Sequence, residues 1–319
     1  MLLLEIVGDI LPIIVLIALG YFLREKKYID DGLNKNLSFL VMNIALPASI
    51  FMAVVKNLDL SQVGKLKGLL LLGAVVLVIL YAVSFVLMKV CRVPRGRRAL
   101  FINGIVNTNS LFIGMPLNEA LLGDQAITFF LVFYLLSLIS LWFIGAPLAL
   151  NDPCTSSNHT AGNFHFHWKQ VLQPPLLGAL AAIPVLVLGI QLPKPIFATL
   201  NYIGNTVTAL SLIYIGISLS VSGLSSVRLD RDTVLALAGR FLLSPALTAF
   251  VFLLAAQIGY SQPALATRTF IVQNAVPTLA ILPILATQGK GDVTYAVNLV
   301  TLGTVLFVFV VPVVMVLVS

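Results

Sequence analysis

Two stretches of an otherwise apolar chain carry side chains able to bind a small polar molecule. One is Asn107-Thr108-Asn109 followed by Gly114-Met115-Pro116 and Asn118; the other is Gln273-Asn274 followed by Pro277-Thr278. Amides and hydroxyls donate and accept hydrogen bonds without a formal charge. Proline removes a backbone donor and clashes with the preceding turn, so a helix is expected to open near Ile113–Pro116 and again near Asn274–Pro277. Each opening starts a half-helix with free N–H groups and a positive dipole end. Two such ends facing one another would hold an anion without lysine or arginine. Asn43 and Pro47 form a third, weaker version of the pattern.

The elements that position these residues are membrane spans. Of 319 residues, 59% are hydrophobic and only 10% charged, against roughly 25% charged in a soluble domain, and the mean hydropathy is +1.05. A helix crosses a bilayer with about 20 apolar residues. Runs of that kind fall at 3–23, 37–55, 66–88, 99–122, 126–150, 171–190, 197–222, 233–257, 265–287 and 293–318. The first is flanked by Glu5 and Asp9 instead of a basic segment, and no small-residue cleavage site follows, so it reads as a span and not a signal peptide.

Basic residues sort by loop. Thirteen of the nineteen Lys and Arg fall in the loops on one side, among them Arg24, Arg92, Arg95, Arg97, Arg98, Lys169, Arg228, Arg231 and Lys290. Five fall on the other, Lys56, Lys65, Lys67, Lys194 and Arg268, with Arg240 inside the eighth span. The positive-inside rule puts the first group in the cytoplasm and both termini outside. Topology thus accounts for the net charge of +7, and no nucleic-acid partner is implied. The segment 151–169 becomes a cytoplasmic linker between a first repeat, 1–150, and a second, 170–319. Five spans per half force the second copy to insert upside down. The fourth and ninth spans also share a pattern running from Arg98 to Asp124 and from Arg268 to Asp292. The expected fold class is an all-α integral membrane protein, ten transmembrane helices as two inverted five-helix repeats, with helices 4 and 9 broken.

Cys91 and Cys154 fall on the cytoplasmic side and are expected as free thiols. On that side the acceptor triplet Asn158-His159-Thr160 meets no glycosylation machinery, and His159, His165 and His167 lack partners at a ligand spacing, so no metal is implied. Glu119, one turn beyond Pro116, and Asp9 are the intramembrane acids that could couple transport to protons; few carboxylates surround the breaks to hold sodium. Arg240 and Arg268 could pair with a carboxylate or snorkel to the interface. Gly289-Lys290-Gly291-Asp292 matches the short Gly-x-Gly-Asp pattern of membrane aspartyl proteases, but it lies in a loop without a second aspartate, which excludes that chemistry. A passive channel also needs a polar path, but it does not need inverted repeats with broken helices.

Leu33-Asn34-Lys35 through Ile44-Ala-Leu-Pro47-Ala-Ser-Ile-Phe51, Asn107-Thr108 through Gly114-Met-Pro116-Leu117, and Gln273-Asn274-Ala-Val-Pro277-Thr278 make the chain similar to the auxin efflux carrier family. That family belongs with the bile acid sodium symporters in one superfamily, and the resemblance covers nearly the full length. It implies helices 4 and 9 crossing at Pro116 and Pro277, a scaffold and an elevator-like transport domain each drawn from both repeats, and often a homodimer in the cell membrane. The short central loop is similar to that of bacterial malonate or malate carriers, which implies a small dicarboxylate. An auxin-like or sodium-coupled, bile-acid-like monocarboxylate is the alternative. The residues placed at the substrate are Asn107, Thr108, Asn109, Asn118, Gln273, Asn274, Thr278 and Asn43, with breaks at Gly114, Pro116, Pro277 and Pro47. No cofactor is expected beyond a coupling ion, H+ before Na+.

Overall fold

A computed structural model describes residues 2–57, 63–154, 174–222 and 228–318. The histidines and the Asn158 acceptor of the linker lie outside the described residues, as does the side chain of Asp9. Among the described residues the chain is all-helical, with one isolated β-bridge and no strand. In the first half, α1 is Leu2–Glu25, α2 Asp31–Leu40, α3 Leu46–Asn57, α4 Val63–Val90, α5 Arg98–Val106, α6 Met115–Leu122, α7 Ile127–Ser140 and α8 Ala146–Leu150. In the second, α9 is Pro174–Val187, α10 Lys194–Gly204, α11 Val207–Ser222, α12 Arg231–Ala238, α13 Ser244–Gln257, α14 Ala264–Asn274, α15 Leu282–Gln288 and α16 Val293–Val318.

Many of these helices join end to end. Six continuous runs among the described residues are long and apolar enough to cross a membrane: Asn36–Lys56, Leu66–Val90, Asp124–Leu150, Lys194–Val221, Arg231–Gln257 and Val293–Leu317. Ser110–Leu122 and Pro174–Val187 are shorter apolar helices.

Four of the joins have a common chemical cause. Widened π turns at Val41–Ala45, Ser110–Gly114, Leu141–Gly145 and Gly239–Leu243 each stand two residues before a proline, Pro47, Pro116, Pro147 and Pro245. Proline donates no hydrogen bond, and its ring presses on the carbonyl four residues back. The preceding turn relaxes by adopting five-residue spacing. Leu46, Met115, Ala146 and Ser244 accordingly donate their N–H groups to the carbonyls of Val41, Ser110, Leu141 and Gly239. Pro47 and Pro116 therefore continue their helices instead of breaking them, which corrects the expectation drawn from proline alone.

Helix pairs are drawn close by glycine. A Cβ on Gly216 of α11 would collide with the Ile17 carbonyl and the Tyr21 nitrogen of α1, and one on Gly20 with the Ile213 carbonyl. The pair α1 and α11 thus packs backbone against backbone, as small residues allow between membrane helices. In the same way α9 lies on α3, Gly178 sitting against the backbone of Pro47. A large apolar core joins α1, α4, α5 and α7 to α11–α16, and a second gathers the α2–α3 run with α7 and α9.

Gly216→Ala places its methyl against backbone that cannot yield, and is expected to lower stability by about 1–3 kcal/mol. Gly303→Ala meets only ordinary contacts, with Leu237 and Pro277 at 3.6 Å, and should be neutral or slightly stabilising. Thermal unfolding in detergent distinguishes them; equal midpoints for the two variants would mean the α1–α11 contact is not tight.

Candidate functional site: two interrupted helices and their shared cap

The two polar stretches of the sequence meet in space. The helix α5 ends at Val106, Asn107 turns extended with ψ 132°, and Asn109 takes φ −78° and ψ 65° before the Ser110–Gly114 turn begins. On the other side α14 ends at Asn274, and α15 starts only at Leu282. The first opening therefore lies at Asn107–Asn109, before the expected Ile113–Pro116, because the π turn absorbs Pro116. The second spans residues 275–281 and contains Pro277. Thr108 and Thr278 form an antiparallel β-bridge, and the Asn109 N–H donates to the Pro277 carbonyl at 2.8 Å. Backbone polar groups released by each interruption are thus taken up by the other, as apolar surroundings require.

Both helices that end here leave C-terminal carbonyls, and one side chain serves both. Arg240, on the Gly239–Leu243 turn and 1% exposed, donates from Nη1 to the Ile105 carbonyl at 2.6 Å. Its Nη2 donates to the carbonyls of Asn274 at 2.7 Å and Gln273 at 3.4 Å. Ser244 Oγ adds a bond to the Ile105 carbonyl at 2.9 Å. A cation at a helix C-terminus is favourable by the helix dipole, and here two C-termini share it. Arg240 does not snorkel and borders neither of the two cavities described below; Arg268 stays partly exposed near the start of α14.

Buried amides hold the surrounding helices in register. Asn103 Nδ2 donates to the carbonyls of Ala99 and Gly145, and its Oδ1 accepts from Asn107 Nδ2 at 2.8 Å. Asn107 also donates to the Tyr81 hydroxyl at 3.0 Å and accepts from Ser140 Oγ at 2.7 Å. Gln273 Nε2 reaches across to the Gly114 carbonyl at 2.8 Å. A Cβ on Gly114 would strike Gln273 Oε1, and one on Gly145 would strike Asn103 Oδ1. The Gly-x-Pro motif is thereby explained: proline widens the turn, and glycine lets a buried amide reach its carbonyl.

Cavities flank the bridge. One, of about 110 Å³, is bordered by Thr108, Asn109, Ser110, Tyr134 and Ser137 among apolar side chains including Met42 and Leu279. The other, of about 240 Å³, is bordered by Asn109, Tyr214, Ser218, Thr301 and Thr304 with Ile113 and Val300. Asn109 and Ala280 border both, and neither cavity has a charged lining residue. Of the residues singled out by sequence, Thr108 and Asn109 face this space. Asn107, Asn118, Gln273, Asn274 and Thr278 are buried behind it. Asn118 is fully buried with neither amide atom hydrogen-bonded, and Gln273 Oε1 is likewise without a partner. Asn43 is exposed and bonds back to the Phe39 carbonyl within its own helix, away from the others.

A smaller polar cavity lies at the end of α6, where Lys56, Glu119, Asp124, Asn201 and Asn205 converge. Lys56 donates to Asn201 at 2.6 Å, and Thr208 donates to Glu119 at 2.9 Å. Sequence reasoning missed Asn103, Tyr81, Ser140 and the Tyr214–Thr304 wall. Only Asn103 left a signal, an amide four residues before Asn107 on an apolar helix.

A charged cluster ties down other helix ends. Arg97 binds Asp292 at 2.6 Å and Asp230 at 2.5 Å, with Asp232 at 3.5 Å, and lies over the Tyr295 ring. Asp230 and Asp292 are themselves N-terminal caps, accepting from the Thr233 and Tyr295 N–H groups, while Asp152 accepts from Gly96 and Ala99 at the start of α5. The Gly-x-Gly-Asp aspartate is thus a cap in an ion pair. Cys91 and Cys154 are free thiols. Burial alone would raise the Asp230 pKa, but the donors of Thr233 and Arg97 outweigh it and hold the carboxylate below its ordinary range. A depressed folded-state pKa gives stability that is full above the unfolded value, about 4, and lost as pH falls through the folded one. The thermal midpoint should be flat from neutral pH to that range and drop only below it. Arg97→Met should lower the midpoint at neutral pH and make the acid drop shallower, because the Asp230 pKa moves back toward its unfolded value; coincident pH profiles would show that the cluster contributes nothing.

Comparison with known proteins agrees with the geometry. The family model described as membrane transport protein matches residues 5–315. The chain is 24% identical to the uncharacterized transporter YfdV of Escherichia coli K12 over 217 residues, 67% of this chain and 68% of the relative. It is 23% identical to the uncharacterized transporter MJ1031 of Methanocaldococcus jannaschii over 291 residues, 89% of each. With a match over nearly its whole length, the chain belongs to the membrane transport protein family, the auxin efflux carrier family of its motifs, and is a multi-pass membrane transporter, not an enzyme.

Proposed function

We propose that this protein is a secondary carrier of a small organic anion, with ten transmembrane helices in two inverted five-helix repeats and the site at the crossing of helices 4 and 9. The observation that carries the reading is the Thr108–Thr278 bridge with Asn109 between two cavities. Support for the inverted repeat comes from equivalent interruptions in the two halves, and from α1 packing on α11 while α9 packs on α3. That exchange of partners is what a two-fold relation between halves gives.

The anion's negative group sits against the start of the Ser110–Leu122 helical run, whose free N–H groups and dipole attract it. Thr108 and Asn109 orient it; Asn107, Gln273, Asn274 and Thr278 hold the surrounding helices, and Asn118 lies buried behind the cavities. The preferred substrate is a dicarboxylate such as malate or malonate. A second reading has one observation in its favour: the smaller cavity is walled largely by Met42, Leu111, Phe112, Tyr134 and Leu138, which suits a monocarboxylate with an apolar body, as an auxin-like substrate has. Transport is by elevator-like motion of the crossing against a scaffold of α1–α3 and α9–α11, in a homodimer in the cell membrane. Both termini face outward and residues 151–169 lie in the cytoplasm. Coupling is to protons through Glu119, which lines a polar cavity beside Lys56 and Asp124, or through Asp9, before sodium.

Thermal unfolding of the purified protein with malate, malonate, succinate, indole-3-acetate and taurocholate, with and without sodium and at two pH values, tests this reading. A ligand at a hundred times its Kd stabilises by about 2.7 kcal/mol. Malate or malonate should give such a shift, and Asn109→Ala should abolish it without changing the unliganded midpoint. A shift with taurocholate and sodium alone would overturn the substrate class; an unchanged shift in Asn109→Ala would overturn the site.

A further inference from the structure

We propose that Arg240 is the positioning residue of this site: its buried guanidinium acts as a built-in cation joining the C-termini of both interrupted helices, so that the crossing assembles without a bound metal ion. The inference rests on the carrier reading for its functional meaning, but its geometry stands alone. Every hydrogen bond Arg240 makes goes to a backbone carbonyl, Ile105 on one helix and Gln273 and Asn274 on the other, and its Nε has no partner. An arginine 1% exposed with no carboxylate bonded to it is a costly feature, since an ion buried without a counter-charge loses several kcal/mol of hydration. The compensation is the pair of helix C-termini, each equivalent to about half a negative charge.

Neither terminus can be satisfied in the usual way. Continuing either α5 or α14 would remove the Thr108–Thr278 bridge. Two negative ends brought together in an apolar interior repel one another, and hydrogen-bond donors without charge would leave that repulsion in place. A guanidinium suits the position because its planar fork offers several donors at once and stays charged. Lysine would present a single point charge to carbonyls on two different helices. Arg240 borders neither cavity, so it acts on the substrate through the backbone it holds.

The test uses the full-length protein in detergent and needs no substrate. Hydrogen exchange is followed over residues 107–114 and 275–281, together with the thermal midpoint, in choline chloride, sodium chloride and choline chloride with added millimolar guanidinium. The wild type should show the same protection in all three. Arg240→Ala should exchange about tenfold faster at these two segments in choline, the loss of one charge-assisted hydrogen bond, and should regain protection with guanidinium; Arg240→Lys should lie between. If Arg240→Ala does not fold, the lysine variant carries the test. Loss of wild-type protection in choline would overturn the proposal, and so would unchanged exchange in both variants, or a loss spread evenly over the chain that guanidinium does not restore. Because no transport is measured, failure here leaves the carrier reading standing, and failure of uptake leaves this proposal standing.

Discussion

Backbone left open among apolar helices must be satisfied inside the protein, and the rest of this structure depends on how two open segments satisfy one another. The Thr108–Thr278 bridge and the Asn109 to Pro277 hydrogen bond make each interruption the partner of the other. Neither could persist alone among buried apolar helices. The helices that end there need a cation and find Arg240. The amides of Asn103 and Gln273 then fix neighbouring helices against the Gly145 and Gly114 carbonyls, and Asn107 ties in the Tyr81 and Ser140 hydroxyls. Polarity is thereby concentrated in one place, and neither cavity beside it has a charged lining residue.

Prolines shape this arrangement more quietly than their reputation as helix breakers suggests. Four of them are accommodated by a widened turn two residues earlier, and the helix runs on. What ends α5 is the run Asn107-Thr108-Asn109, whose side chains compete for backbone partners and favour non-helical conformations. Glycine at 114 and 145 then turns two of the widened turns into docking points for amide side chains. One local rule, proline with a glycine two residues before it, thus links helix geometry to tertiary contact.

Much of this was legible in the residues. Hydropathy marked the membrane class, and the two polar stretches marked which spans open, although proline put the first opening at Ile113–Pro116 and it lies at Asn107–Asn109. The motifs pointed to the family that the full-length match shows. Three things were not legible, and for physical reasons. The partners of Arg240 lie 135, 33 and 34 residues away, a separation no spacing argument reaches. Asn107 looked like a ligand because its type suits one, yet its hydrogen-bonding capacity is taken by Tyr81, Asn103 and Ser140, which lie on three helical elements. Asp292, whose catalytic reading the sequence itself excluded, is a helix cap gripped by Arg97, a structural role that only the loop's folded geometry reveals.

The central claim is that the two interruptions pair with each other, and disulfide trapping tests it most directly. Residues of an antiparallel bridge have Cα atoms about 4.5–5.5 Å apart, inside the range a disulfide spans. With Cys91 and Cys154 replaced by serine and a protease site inserted in the central linker, Thr108→Cys and Thr278→Cys are combined and oxidised in native membranes. The account predicts that the two halves remain joined after cleavage until a reductant is added. Halves that separate without reductant, with both thiols still free on denaturation, would contradict it.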